Sequence, residues 1–241
     1  MLKVAFPVQV AASKANYEIQ FGTLERSLGK DTSWEKAKFE VPAQRWADLS
    51  DHEYGLALLN DCKYGYDAQP GRLRLTLLRS GYSPDPIEPC QHVQYAAPTD
   101  DGVQTMTYSI YPHAAGWQRG EVVQRGHELN NPLMSLGPLK ASATVKGFSP
   151  STRFSFIEIC KGKSLCLETC KQAEDSADLI IRLYESQGIS GEAAVQFHFP
   201  VAGVQECNLM ERDFRPASFK SGLLRFTFSP YEIKTFLLKR G

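Results

Sequence analysis

Short strand-like segments, some apolar and some alternating apolar and polar residues, recur along this chain, with turn-forming residues between them. Residues 4–10, 17–21, 37–41, 54–59, 73–79 and 106–112 have this form in the first part. Residues 143–145, 154–159, 165–169, 179–184, 193–199, 207–210, 223–228 and 233–238 have it in the second. A period of two sends successive side chains to opposite faces, which suits a strand half-buried on a sheet. Many such strands predict an all-β architecture of packed sheets. One stretch reads differently: over residues 120–133, Val122, Gly126 and Leu129 fall at i, i+4 and i+7, Val123 and Leu133 widen the stripe, and Pro132 closes it. The expected fold is therefore all-β with one short helix.

A length of 241 residues allows one large β-domain or two smaller ones. The connection over residues 142–151, with Gly147 and Pro150, is the best boundary, dividing the chain into residues 1–146 and 147–241. Lys plus Arg and Asp plus Glu number 27 each, so the formal net charge is zero. That balance removes any general electrostatic case for a nucleic-acid partner or an anionic membrane. No apolar run approaches the roughly 20 residues of a membrane span, and residues 1–7 lack a signal-peptide pattern. The chain has six cysteines and no Asn-x-Ser/Thr sequon. A chain of this size does not need disulfides, so reduced thiols and a cytoplasmic location are expected.

The stretch with the densest polar and aromatic chemistry is Asn60-Asp61-Cys62-Lys63-Tyr64-Gly65-Tyr66-Asp67, between the segments at 54–59 and 73–79. A loop of this composition between two patterned strands is where β-proteins often place recognition. The alternative reading is a solvated turn whose tyrosines cover a sheet edge.

No full catalytic set is legible. Gly162-Lys163-Ser164 ends like a phosphate-binding loop, but Ile157 stands where the leading glycine is needed. There is no Gly-x-Ser-x-Gly elbow. His52, His92, His113, His127 and His198 are scattered, without metal-ligand spacing. Cys160, Cys166 and Cys170 lack a paired Cys-x2-Cys knuckle; Cys166 and Cys170 fit a strand better, with both thiols on one face. Asp100-Asp101-Gly102 reads as a solvated turn.

Longer runs carry a resemblance. Thr32-Ser33-Trp34-Glu35, Phe39-Glu40-Val41, Gln44-Arg45-Trp46-Ala47-Asp48-Leu49-Ser50 and Ala57-Leu58-Leu59-Asn60-Asp61-Cys62-Lys63-Tyr64-Gly65 occur in one order. Tyr111-Pro112-His113, Leu129-Asn130-Asn131-Pro132-Leu133, Arg182-Leu183-Tyr184-Glu185 and Phe228-Ser229-Pro230-Tyr231-Glu232 follow. Together they resemble the C-terminal half of glycoside hydrolase family 38 α-mannosidases, with the cytosolic branch nearest. The chain departs from that pattern at Gly29-Lys30-Asp31, at Gln44 and over residues 80–107.

The resemblance implies part of a galactose-mutarotase-like supersandwich followed by a smaller terminal β-sandwich. It implies retaining hydrolysis of α-mannosides by a longer protein. The zinc ion, the aspartate nucleophile and the acid/base carboxylate of that reaction are expected in an N-terminal catalytic domain outside these residues. Met1 falls inside the expected supersandwich pattern, which implies a fragment or a split gene product. The natural partner is then that catalytic domain, and the substrate an α-mannoside or oligosaccharide. On this reading the chain holds no catalytic residue and no metal ligand, and it scaffolds the enzyme. Its loop at 60–67 can wall the sugar site: Asp61 and Asp67 as acceptors for hydroxyls, Tyr64 and Tyr66 as stacking faces, Lys63 as a partner for an acidic residue across the interface. The same residues can instead only pack that interface. The other reading of the whole chain is a stand-alone carbohydrate-binding or protein-interaction β-module.

Overall fold

In the computed structural model the described residues are 1–80, 82–84, 95–98, 102–135 and 154–241. They form two compact units, Met1–Leu133 and Met134–Gly241. The boundary expected over residues 142–151 and the strand expected at 143–145 lie outside the described residues.

Unit 1 contains β1 (Leu2–Pro7), β2 (Lys14–Ile19), β3 (Gly22–Ser27), α1 (Ser33–Ala37), β4 (Val41–Pro42), β5 (Trp46–Ser50), β6 (Tyr54–Asn60), β7 (Gly65–Gln69), β8 (Arg72–Leu78), β9 (Tyr82–Pro84), β10 (Tyr95–Pro98), β11 (Tyr108–Ala114) and α2 (Val122–Asn130). A four-stranded sheet, β1-β8-β7-β4, faces a five-stranded sheet, β11-β6-β5-β2-β3, and β9 pairs with β10. Unit 2 contains β12 (Ile157–Lys161), β13 (Leu165–Gln172), β14 (Leu179–Glu185), β15 (Gly191–Phe197), β16 (Val201–Cys207), β17 (Arg215–Pro216), β18 (Ser218–Lys220), β19 (Leu223–Phe228) and β20 (Ile233–Arg240). Its sheets are β12-β15-β19-β18 and β13-β14-β20-β16-β17. The all-β class is observed, in two sandwiches. Among the described residues there are two helices rather than one.

The additional helix, α1, has its cause in Thr32-Ser33-Trp34-Glu35. Thr32 Oγ1 accepts from Glu35 N, and the Glu35 carboxylate accepts from Thr32 N, a capping box that satisfies backbone donors at both positions. The strand expected at 37–41 is displaced by it and survives only as β4. β3, β5 and β7 form where polar side chains had hidden a strand period. Among the described residues no helix is long and apolar enough to cross a membrane.

The core of unit 1 lies between its sheets, where Tyr17, Ala47, Leu49, Leu56, Leu58, Tyr66, Leu73 and Leu75 pack together. Each large apolar side chain removed from water here contributes about 1.5–3 kcal/mol. The far face of the five-stranded sheet is covered too. Trp46 lies 5.4 Å from Trp117, centroid to centroid, and Gly126 of α2 sits so close that a Cβ there would meet Trp46 Cδ1 at 2.8 Å. On the same face His113 Nε2 lies 2.7 Å from Asp48 Oδ2, and Ser50 Oγ donates to Asp48 Oδ1. β5 is therefore buried on both faces, which is why its Asp48 can stand inside.

Unit 2 builds its core from Ile181, Leu183, Val204, Phe236 and Leu238 on one sheet and Val195, Phe197 and Leu224 on the other. A bulge between Leu167 and Thr169 shifts the register of β13, so Cys166 opposes Tyr184 while Cys170 opposes Ile181. Tyr184 and Ile181 alternate on β14, so the two thiols lie on opposite faces, not on one face as their spacing suggested.

Candidate functional site

The stretch at 60–67 splits into an exposed turn and a buried strand. Asn60, at the end of β6, is the pivot. Its Oδ1 accepts from Cys62 N at 2.9 Å and from Lys63 N. Its Nδ2 donates to Gln44 O at 3.1 Å and to Tyr66 Oη. A side-chain carbonyl that takes two successive backbone N–H groups closes an Asx turn, so the chain reverses here without a glycine.

Two further elements tie down the base of the turn. Asn60 N donates to Arg45 O at 2.9 Å, and Asn130 Nδ2 of α2 donates to Asn60 O at 3.1 Å. The Arg45 guanidinium is held by the buried Glu18 carboxylate, at 3.0 Å from both Nε and Nη2 to Oε1, and its Nη1 lies 3.0 Å from His127 Nδ1. A guanidinium can only donate, so Nδ1 accepts. The turn thus rests on β2, the Gln44–Arg45 segment and α2 at once.

Asp61 and Tyr64 are on the surface and Lys63 is half-buried. Asp61 Oδ1 accepts from Thr107 N at 3.0 Å, and its own N–H donates to Thr107 O at 3.1 Å. The neighbouring Cys62 thiol donates to the Asp61 carboxylate. That bond, with the one from Thr107, pulls Asp61 below the usual carboxylate range and pushes the thiol up. At neutral pH the turn therefore presents an ionised Asp61 and a protonated Cys62. Tyr64 is 63% exposed, its ring free and its backbone carbonyl bonded to Ala43 N at 3.0 Å. An outward carboxylate, a half-buried ammonium and an outward phenol ring can together accept from, donate to and stack on a polyol.

Tyr66 and Asp67 do not join them, which corrects two of the expected wall residues. Tyr66 is 0% exposed; its ring meets Tyr17 edge-on at 6.4 Å, and its hydroxyl donates to Gln44 O at 3.1 Å. Burial pushes its pKa far above the usual value. Asp67 is 5% exposed and is bonded to Arg74 on β8, with Lys3 of β1 at 3.7 Å. Both belong to β7, where Tyr66 opposes Leu75 and Asp67 opposes Arg74. A polar composition had hidden this strand. The signal that would have separated them is the alternation Tyr66-Asp67-Ala68-Gln69 running into a Pro70-Gly71 turn.

Among the described residues no three His, Cys, Asp or Glu side chains are grouped to hold a metal ion. His198 Nε2 meets Glu158 Oε2 at 3.0 Å on the surface of unit 2, a simple ion-pair geometry.

Comparison with known proteins bears on the whole chain. Residues 1–87 match the model of the glycosyl hydrolases family 38 C-terminal domain, and residues 164–236 match that of the family 38 C-terminal beta sandwich domain. Alpha-mannosidase 2C1 of Homo sapiens is 40% identical over 98% of this chain and 21% of its own length. Alpha-mannosidase G of Dictyostelium discoideum is 38% identical over 98% of this chain and 20% of its own length. The crystal structure of an α-mannosidase from Enterococcus faecalis V583 superposes with a TM-score of 0.72 at 15% identity, over 98% of this chain and 25% of that one. The chain thus spans about a fifth of the relatives it matches. With both family models matched in order, it belongs to the C-terminal β-region of the family 38 glycosyl hydrolases, the family of the α-mannosidases.

Proposed function

We propose that this chain works as the non-catalytic β-region of an α-mannosidase, bracing a catalytic domain and supplying Asp61, Lys63 and Tyr64 to the wall of its sugar site. The observation that carries the reading is the match itself: nearly all of this chain aligns with only about a fifth of each curated α-mannosidase. Unit 1 supports it. Tyr108 and Ile110 of β11 oppose Asn60 and Leu58, on the core-facing side of the sheet, yet Ile110 is 48% exposed. Tyr108 beside it is 39% exposed, so the two form an apolar edge that further polypeptide can cover.

The zinc and the catalytic carboxylates of α-mannoside hydrolysis belong, on this proposal, to the longer part of the enzyme. The donor sets described above do not suit a metal ion. This chain's own contribution is to bind and orient: the ionised Asp61 takes hydroxyl hydrogen bonds and Tyr64 covers a pyranose face. A cytoplasmic home is part of the proposal, in keeping with the exposed thiols of Cys62, Cys160 and Cys170.

Hydrolysis of an aryl α-mannoside tests it. The chain alone should release no product with or without zinc. A chimera in which it replaces the matching part of human alpha-mannosidase 2C1 should regain the activity that the truncated human enzyme lacks. Zinc-dependent turnover by this chain alone would sink the proposal. In the active chimera, Asp61→Ala with Tyr64→Ala should raise KM about tenfold, the loss of a charge-assisted hydrogen bond. An unchanged KM would leave those residues only a packing role.

A further inference from the structure

At the opposite edge of the five-stranded sheet, β3 overhangs its facing sheet, because β4 contributes only Val41 and Pro42 there. Tyr17 opposes Leu24, and Ala15 opposes Arg26, so Arg26 shares the core-facing side with two buried residues. Beneath the overhang is a cavity of about 360 Å³. The buried Tyr17 and Tyr66 close its floor, Leu24 and Val41 line it with apolar side chains, and Arg26, Lys30 and Lys38 line it with cations.

Three carboxylates also line the cavity, each with hydrogen-bond or ion-pair partners of its own, and Glu35 is also attracted by Lys38 through space. Glu25 pairs with Lys14 at 2.6 Å. Glu35 is taken up by the capping box, with Asp31 N adding a third donor at 3.1 Å. Asp67 pairs with Arg74 and Lys3. Among the described residues none of the three cations has a carboxylate at ion-pair distance. Arg26 Nη1 donates to Pro42 O at 3.0 Å, and its guanidinium carbon lies 4.7 Å from the centre of the Tyr17 ring. Burial without an anion pulls the Arg26 pKa below its usual value, with the Tyr17 hydroxyl only partly offsetting this. Lys30 Nζ donates to Glu35 O at 3.1 Å and Lys38 O at 2.7 Å, which fixes the ammonium and leaves one hydrogen for a ligand.

We infer that this cavity binds a phosphorylated small molecule of monosaccharide size. A guanidinium and two ammoniums converging on one space suit an oxyanion with several acceptor oxygens. Leu24 and Val41 offer an apolar wall for the body that carries it. The volume falls at the low end of small-ligand pockets, about 300–1,000 Å³. The site shares no outward residue with the turn at Asp61 and Tyr64, so it stands whether or not that turn meets sugar.

Titration calorimetry of the 241-residue chain with glucose 6-phosphate tests this. Saturable binding is expected, weakening as salt is added. Inorganic phosphate should bind more weakly, and glucose and acetate should not bind. Arg26→Gln should weaken glucose 6-phosphate about tenfold. Lys38→Gln, at an exposed position, should weaken it less and should leave the fold intact, so it carries the test if Arg26→Gln does not fold. Lys163→Gln in unit 2 should change nothing. No saturable binding, or binding that both variants leave unchanged, would overturn the inference. Acetate as tight as phosphate would overturn the phosphate, and phosphate as tight as glucose 6-phosphate would overturn the monosaccharide body.

Discussion

In unit 1 the buried carboxylates of Glu18 and Asp48 are held by side chains from elsewhere in the chain, Arg45 for one and His113 for the other. In unit 2 Glu211 is likewise paired with a side chain, Lys171 at 2.7 Å, but the fully buried carboxylate of Glu185 is held instead by backbone N–H groups of Gln187, Gly188, Ile189 and Tyr231, at 2.7–3.2 Å. The difference is one of reach. Backbone donors order the two turns beside Glu185, a local task. The Glu18–Arg45–His127 chain joins β2, the segment before β5, and α2, and so sets the base on which the Asn60 turn sits. A carboxylate that faces one distant cation is also more exposed to single substitutions than one held by several amides, since removing the cation leaves a buried charge with only neutral donors beside it.

All three tryptophans, Trp34, Trp46 and Trp117, are in unit 1, so tryptophan fluorescence follows that unit alone. The largest effect is expected from Arg45→Met, which removes the cation facing Glu18 and leaves the carboxylate the residue-45 backbone N–H. The fluorescence-detected urea transition should fall by about 3–5 kcal/mol, with amide exchange in unit 2 unchanged. A loss under about 1 kcal/mol, the level of an exposed pair, would break the contrast. Next comes Glu185→Gln, where the remaining carbonyl oxygen still accepts but the new amide has no acceptor. A loss of about 1–3 kcal/mol is expected, read as faster exchange at Gly188, Ile189 and Tyr231. A comparable shift of the tryptophan transition would show that the units do not respond separately.

A pH series sharpens the same contrast. Burial alone would pull the His113 pKa down, but the hydrogen bond and charge of Asp48 outweigh it and the net direction is up. A raised folded value means that the native state holds the proton more tightly than the unfolded chain. The stabilisation is therefore full below the ordinary histidine value of about 6.5 and is lost as pH rises through the raised value. The tryptophan transition should weaken across that window, and His113→Gln should flatten the dependence. A slope unchanged in the variant would remove His113 from the account. The smallest effect is expected at Tyr64→Ala, within about 0.5 kcal/mol for an exposed residue. Tyr66→Phe, two residues on, should cost about 1–3 kcal/mol through the bonds lost at Asn60 and Gln44. Equal effects at the two tyrosines would deny the division of the loop.

That division was half legible. The polar run after Leu59 marked a turn, and Asn60 with an amide side chain is a residue type that closes one. Tyr66 and Asp67 looked like more of the same loop because composition does not report which side of a strand will be covered. Asp67 is tolerated inside because Arg74 opposes it on β8, a pairing that belongs to the sheet register. Helix α1 was missed, although its signal, the capping-box spacing of Thr32-Ser33-Trp34-Glu35, is purely local. Strand β5 was not: Asp48 reads as a surface residue until His113, brought alongside by β11 and β6, supplies its partner.

By itself the sequence determined the class of the fold and the positions of the long apolar strands. Those follow from a period of two and from turn residues, both properties of adjacent positions. Its ordered runs over the whole length also carried the family. The tertiary structure alone decided which polar residues face water, which sit beside a partner, and which cations line one cavity. Those outcomes depend on strand pairing and on what covers each sheet, so they join residues such as Glu18 and His127, or Tyr17 and Lys38, that no local pattern connects.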